Sequence, residues 1–258
     1  MKLVAHCIVK NEERFVWYAI TSVLPHVDNV VVWDTGSTDN TIDIIRSIES
    51  QKVIFKKVTL TPTETVAYYR NKMLEEYPGD WIMILDGDEI WEDRGITEAK
   101  ELMANPNTDV IISPVLMAVG DMYHIQDERA GKYKIAGRVG HYNLRFFRYK
   151  PSIQVVGTYP LEGYTNSTTR LQEYSQPTLV FQSIPYIHAS HLVRSRGRID
   201  KVKYELGHAL PSDYYYPESF FHSRPAIVPF VWEPRNSLYL RRAFWQTPLK
   251  RIKRRLRV

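Results

Sequence analysis

The chain has 258 residues, of which 44% are hydrophobic and 24% charged, with a formal net charge of +5 and one cysteine. That length can bury a sizeable core, and the balance of residue types is that of an ordinary globular protein. A lone Cys7 rules out an internal disulfide framework and fits a reducing compartment, and no run of 18 apolar residues argues for a membrane span.

In chain order, Leu3 to Val9 is apolar apart from His6 and reads as a strand rather than a signal peptide, ending at Lys10-Asn11-Glu12-Glu13. Cys7 within it reads as a small core hydrophobe. Ala19, Ile20, Val23 and Leu24 then carry a helical stripe up to Pro25. Val30 to Trp33 is a second apolar run, closed by Asp34-Thr35-Gly36-Ser37-Thr38-Asp39-Asn40-Thr41. Gly36 permits a tight turn, Ser37, Thr38 and Asp39 suit a helix N-cap, and Ile42, Ile44, Ile45 and Ile48 follow at helical spacing. Lys52 to Leu60 reads as another strand, and Thr65 to Tyr77 as a helix carrying Arg70 and Asn71.

The stretch that carries most chemistry is Trp81 to Leu85 running into Asp86-Gly87-Asp88-Glu89. A continuous apolar run is a strand covered on both faces. Three carboxylates at its carboxyl end cannot be packing material, because buried unpaired carboxylates are too costly. In an open α/β sheet that edge is where ligands bind. Acids there suit a hard cation that in turn holds phosphate oxygens. Asp34 is expected in the same crevice if its strand neighbours that of Asp86.

Further along, Asn143 to Arg148 is an arginine-bearing strand, and Val155 to Glu162 a small turn ending in an acid. Thr178 to Ile184 is a strand interrupted by Gln182 and Ser183, followed by Tyr186-Ile187-His188-Ala189-Ser190-His191 and then Arg194, Arg196, Arg198, Lys201 and Lys203. Seven aromatics between Tyr214 and Trp232 read as packing under a proline-rich extension, with a sugar-stacking platform as the other reading. In residues 241–258 Phe244, Trp245, Leu249, Ile252 and Leu256 interleave with basic side chains, the pattern of a helix lying on an anionic membrane. No nucleic-acid reading module accompanies that tail.

The combination of Ile8 to Glu13, Asp34 to Thr41, Arg70-Asn71 and Asp86 to Glu89 resembles the family 2 glycosyltransferases, and within them the branch of bacterial lipopolysaccharide-core glucosyltransferases and peptide glycosyltransferases. The resemblance implies a GT-A fold: an α/β protein with a mixed, mostly parallel sheet flanked by helices, here with an irregular aromatic-rich C-terminal extension. It implies a donor-binding half over 1–110, an acceptor-side half over 111–205 and the extension over 206–258. It also implies transfer from a nucleotide-sugar, a UDP-sugar in this reading, to a glycan, lipid-linked or peptide acceptor, in the cytoplasm or at the inner membrane face.

By the same resemblance Asn11, Glu12, Asp34, Arg70 and Asp86 bind the donor, and Asp88 with His188 holds Mn²⁺ or Mg²⁺. His191 is the alternative to His188, Glu89 stands behind the ligands, and Gly87 leaves room for a phosphate. Arg194 and the basic residues after it read either as a run closing over the diphosphate or as a solvated helix face. Glu162 is the base of an inverting reaction, with Asp121, Asp127 and Glu128 as competitors on a flexible loop. Three other readings stand beside this one. An aspartic protease would need a second Asp-Thr-Gly or Asp-Ser-Gly, which is absent. A phosphatase with Asp86 as nucleophile generally carries its Asp-x-Asp after the first strand. A non-catalytic GT-A-like module would bind a nucleotide or glycan and need no base.

Overall fold

The computed structural model describes residues 1–195 and 202–256. Strands β1 (Leu3–Val9) and β2 (Asn29–Asp34) pair in parallel, joined through helix α1 (Val16–Val23). Helix α2 (Thr41–Arg46) leads to β3 (Val53–Lys57), parallel to β2, and α3 (Val66–Glu76) leads to β4 (Trp81–Asp86), parallel to β1. The chain steps outward from β1 to β2 and β3, then returns to add β4 on the other side of β1. This reversal leaves a crevice at the carboxyl ends of β1 and β4. The strands of Asp34 and Asp86 are therefore not neighbours, as expected above, but flank β1, with Val9 opposite Asp34 and Ile8 opposite Asp86.

The second half closes the sheet. Strand β5 (Glu89–Ile90) and helix α4 (Asp93–Met103) precede the long β6 (Val110–Val119) and β7 (Asp121–Ile125). A small hairpin of β8 (Tyr133–Ile135) and β9 (Arg138–Gly140) leads to β10 (Tyr142–Arg148), which is antiparallel to both β4 and β6. Strands β11 (Ile153–Val156), β12 (Gly163–Asn166) and β13 (Thr169–Arg170) form a separate small sheet. β14 (Leu179–Phe181) and β15 (Tyr186–His188) lie parallel to β6, and β15 also pairs antiparallel with β5. β16 (His208–Ala209) adds to β7, and helix α5 (Ser237–Arg255) ends the described chain.

Alternation along the central strands sorts the core. Ala5, Cys7, Val30, Val32 and Met83 pack on one face of the sheet, while Val4, Val31, Trp33 and Ile82 pack on the other. Both faces are covered, so the strands read as unbroken apolar runs. In the extension, Tyr216, Phe220 and Trp232 pack on one another, and Phe220 reaches Tyr18 of α1 with ring centroids 5.2 Å apart. These three are packing, while Tyr215, Phe221 and Phe230 of the same segment are exposed. No helix among the described residues is long and apolar enough to cross a membrane.

Candidate active site

The loop after β2 is built around its own aspartate. Asp34 accepts hydrogen bonds from the Gly36 N–H at 3.0 Å and the Ser37 N–H at 2.9 Å, and its second oxygen takes the Ser37 hydroxyl. Gly36 sits at φ 99°, a left-handed conformation that glycine adopts at no steric cost. Asn11 then ties the first loop to this one: its N–H donates to Ser37 Oγ at 2.8 Å and its Oδ1 accepts from the Thr38 N–H at 2.8 Å. Asp34 and Asn11 thus spend their polar atoms within and between the two loops, and neither lines the crevice. Thr35 does line it.

The acidic turn after β4 folds straight back. β5 pairs with β15 so that Glu89 faces His188, and the Ala189 N–H donates to the Asp88 carbonyl at 2.9 Å. A Cβ at Gly87 would lie 2.9 Å from Val9 Cγ1 and 3.1 Å from Glu12 Cγ. Glycine is needed there because the turn packs on the end of β1, and Gly87 also lines the crevice.

Among the described residues, three guanidiniums face this turn. Arg145 of β10, 7% exposed, bridges Asp86 at 3.0 Å and the fully buried Glu89, while its Nε donates to the Tyr186 hydroxyl at 3.0 Å. Arg70 of α3 lies 3.6 Å from Asp86, 3.9 Å from Glu162 and 3.3 Å from the Tyr164 hydroxyl. Arg194 contacts Asp88 at 3.0 Å and Glu12 at 2.7 Å. His188 Nε2 stands 3.2 Å from Asp88 Oδ1, and its Nδ1 is 3.9 Å from Glu89.

These neighbours set the charges. Burial opposes the ionised Asp88, but His188 and Arg194 outweigh it and hold the carboxyl well below its usual range. Burial likewise disfavours a charged His188, yet Asp88, then Glu89 and Asp86, raise its pKa. Glu89 goes the other way: burial pushes it up to about 7, against the pull of Arg145.

The result is a crevice of about 400 Å³ lined by Glu12, Arg70, Asp86, Asp88, Glu162 and His188, with Arg194 at its edge and apolar lining from Ile8, Leu60, Val66 and Tyr159. Among the described residues, His188 Nδ1 and Glu162 Oε2 are buried at this crevice without a hydrogen-bond partner. Carboxylates outnumber the guanidiniums, and oxygens beside an imidazole are a donor set for a divalent cation. Ligand atoms of Asp86, Glu89 and His188 lie within 4.8 Å of one another. Glu89 does not reach the crevice, so the groups open to an ion entering from it are Asp86, Asp88 and His188. The residues present fit such an ion.

The other candidates lie elsewhere. His191 lines a separate cavity of about 310 Å³, and burial lowers its pKa to about 3. Asp121 is buried against His124 and Arg235, and Asp127 accepts from the Arg129 N–H at 2.9 Å, so the presumed flexible loop is a strand followed by a 3₁₀ turn. Neither lines the crevice, nor does Glu128, nor do the seven aromatics of residues 214–232. Arg196, Arg198 and Lys201 of the basic run lie outside the described residues. Arg145 had no role in the sequence reading. Its signal was there, an arginine between Leu144 and Phe146 in an apolar strand, since such a guanidinium can be buried only with an anionic partner.

The mixed, mostly parallel sheet whose order reverses beside an acidic turn is a GT-A-like α/β fold. A family model, Glycosyl transferase family 2, matches residues 6–165, and the chain belongs to that family. It is 27% identical over 180 residues to the SPbeta prophage-derived glycosyltransferase SunS of Bacillus subtilis (strain 168), across 63% of this chain and 41% of that protein. To the uncharacterized glycosyltransferase RT0209 of Rickettsia typhi it is 32% identical over 110 residues, 42% of this chain and 35% of that protein. The chain thus spans about two-fifths or less of the length of these curated relatives. Among solved structures, S. aureus TarS (residues 1–349) aligns with a TM-score of 0.48 at 15% identity, over 74% of this chain and 61% of that one. Glucosyl-3-phosphoglycerate synthase from Mycobacterium tuberculosis, in complex with Mn²⁺ and UDP-glucose, aligns with a TM-score of 0.36 at 21% identity, over 45% and 44%.

Proposed function

We propose that this chain transfers a glycosyl group from a nucleotide-sugar, a UDP-sugar in our reading, to a glycan, lipid-linked or peptide acceptor, with inversion at the anomeric carbon. The observation that carries the reading is the convergence of Asp86, Asp88, His188, Arg70, Arg194 and Glu162 in one crevice at the reversal of strand order. Membership of the family supports it.

Asp88 and His188 would hold Mn²⁺ or Mg²⁺, with Asp86 beside them, and the imidazole favours Mn²⁺. When bound, the cation acts as a Lewis acid toward the donor diphosphate. Arg70 and Arg194 are permanently charged donors that line the same crevice and suit phosphate oxygens. In the transfer itself the bond from the anomeric carbon to the diphosphate oxygen breaks as the acceptor oxygen bonds to that carbon. Glu162 takes the acceptor's proton; it lines the crevice, and its Oε2 has no hydrogen-bond partner among the described residues, which supports the reading. A module that only bound nucleotide would need no such group. Incubating the protein with a panel of nucleotide-sugars and Mn²⁺ tests the reading by nucleoside-diphosphate release. Release from a UDP-sugar supports it. Binding without release from any donor would instead make the chain a nucleotide-binding module.

A further inference from the structure

Helix α5 docks on the body with its polar side and turns its apolar side outward. Tyr239, Ala243 and Thr247 are buried, and together with Lys250 and Arg254 they recur every three or four residues along the face that meets the body. That face is pinned by hydrogen bonds to residues 203–206. The Tyr239 hydroxyl donates to the Lys203 carbonyl at 2.7 Å and accepts from the Glu205 N–H at 3.1 Å. Thr247 Oγ1 accepts from the Leu206 N–H at 2.9 Å, and Lys250 Nζ donates to the Tyr204 carbonyl at 2.8 Å. Arg254 grips the buried Glu205 with two bonds of 2.5 and 2.7 Å. Rolling the helix over to bury its apolar side would break all of these and strand Glu205 without its cation.

The opposite side carries Leu238, Trp245, Leu249, Ile252 and Leu256 in one stripe, 56%, 74%, 69%, 56% and 81% exposed. A surface helix ordinarily turns such a stripe to the core, and a contiguous apolar patch left outside marks an interaction surface. Charge decides what covers it. Arg241, Arg242, Lys253 and Arg255 border the stripe, and residues 237–255 contain no acidic side chain. A second copy of the same helix would bring like charges together. An anionic lipid surface supplies both what the stripe needs and what the border needs: apolar depth for Trp245 and the aliphatics, and phosphates for the arginines.

We propose that the outward face of α5 is a membrane-docking surface that seats this protein in the interface of an anionic bilayer. The long basic side chains at its border extend to the headgroups while the stripe enters the acyl boundary. This is independent of the donor chemistry and holds whether or not the chain transfers sugar.

Co-sedimentation of the purified full chain with vesicles tests it, using phosphatidylcholine alone and phosphatidylcholine with phosphatidylglycerol. The expected result is sedimentation with the anionic vesicles, little with the neutral ones, and weakening as salt rises. The double variant Trp245→Glu, Ile252→Glu changes only exposed side chains, so its melting transition should match the parent while its vesicle affinity falls by about tenfold or more. No binding to anionic vesicles, or binding unchanged in the double variant, would overturn the proposal. So would a concentration-dependent dimer in lipid-free buffer that the double variant abolishes, because the stripe would then belong to a second copy.

Discussion

Asp88, in the turn between β4 and β5, and His188, at the end of β15, meet with Asp88 Oδ1 3.2 Å from His188 Nε2. Two ligands at right angles on one ion, each about 2.1 Å from it, stand about 3 Å apart. Under the proposed function the pair would share a cation, and the β5–β15 pairing is what sets its spacing. Replacing Asp88 with Ala should cut turnover about 10²–10³-fold, the loss typical of one electrostatic group aimed at developing charge. Initial rates at saturating donor would show it, with an unchanged far-ultraviolet spectrum as the control for folding. A variant with parental rates would remove the pair from the reaction.

Arg145 and Glu89 form the buried ion pair behind the turn, 9% and 0% exposed at the side chain. Removing the cation alone leaves a carboxylate in the core. Arg145→Met is expected to cost about 3–5 kcal/mol of stability. Adding Glu89→Gln to that variant should restore part of it, because the orphaned charge goes too. Urea denaturation of the three proteins measures both steps, and a single-variant loss below about 1 kcal/mol would contradict this assignment.

His6 gives a pH dependence that is separate from the crevice. It is 1% exposed in β1, its Nε2–H donates to the Tyr77 carbonyl at 2.9 Å, and burial lowers its pKa to about 4. The unfolded chain, with an ordinary pKa near 6.5, binds the proton first as pH falls, so stability is lost on going down from about 6.5 to about 4. The size of that loss is about 3 kcal/mol. His6→Gln should be less stable at pH 7 but lack this slope, and denaturation of both proteins across that range reads the difference. Parallel profiles would show that His6 is not buried neutral.

Glu162 should separate chemistry from binding. With Gln in its place the proton acceptor is lost while the side chain's size remains. Turnover is expected to fall about 10²–10⁴-fold, the usual worth of a positioned base, with UDP affinity little changed. Equal losses in affinity and turnover would make Glu162 a partner that orients Arg70, 3.9 Å away, rather than the base.

Much of this was legible residue by residue. The apolar runs ending in Asp34 and Asp86 named two strands, and the isoleucine spacing after Thr41 named the helix between them. The acid cluster at Asp86 to Glu89 pointed to the crevice, because carboxylates at that edge need a cationic partner or ligand. Long-range pairing was not legible. Nothing local tells that His188 will lie opposite Glu89 while His191, three residues on, faces another cavity. The turn after Asp34 was legible locally: an aspartate followed by Gly36 and Ser37 can satisfy itself with their N–H groups in an Asx turn. The amphipathic tail was visible, but which side of α5 faces outward depends on Glu205 and the bonds to residues 203–206.

The central claim is that this crevice binds a nucleoside diphosphate through a cation held by Asp88 and His188. Calorimetric titration of UDP into the protein, with Mn²⁺ and with the metal chelated, tests it most directly. Binding with Mn²⁺ is expected to weaken sharply on chelation and to be lost in both Asp88→Ala and His188→Ala. UDP binding that is indifferent to Mn²⁺ and persists in both variants would contradict it.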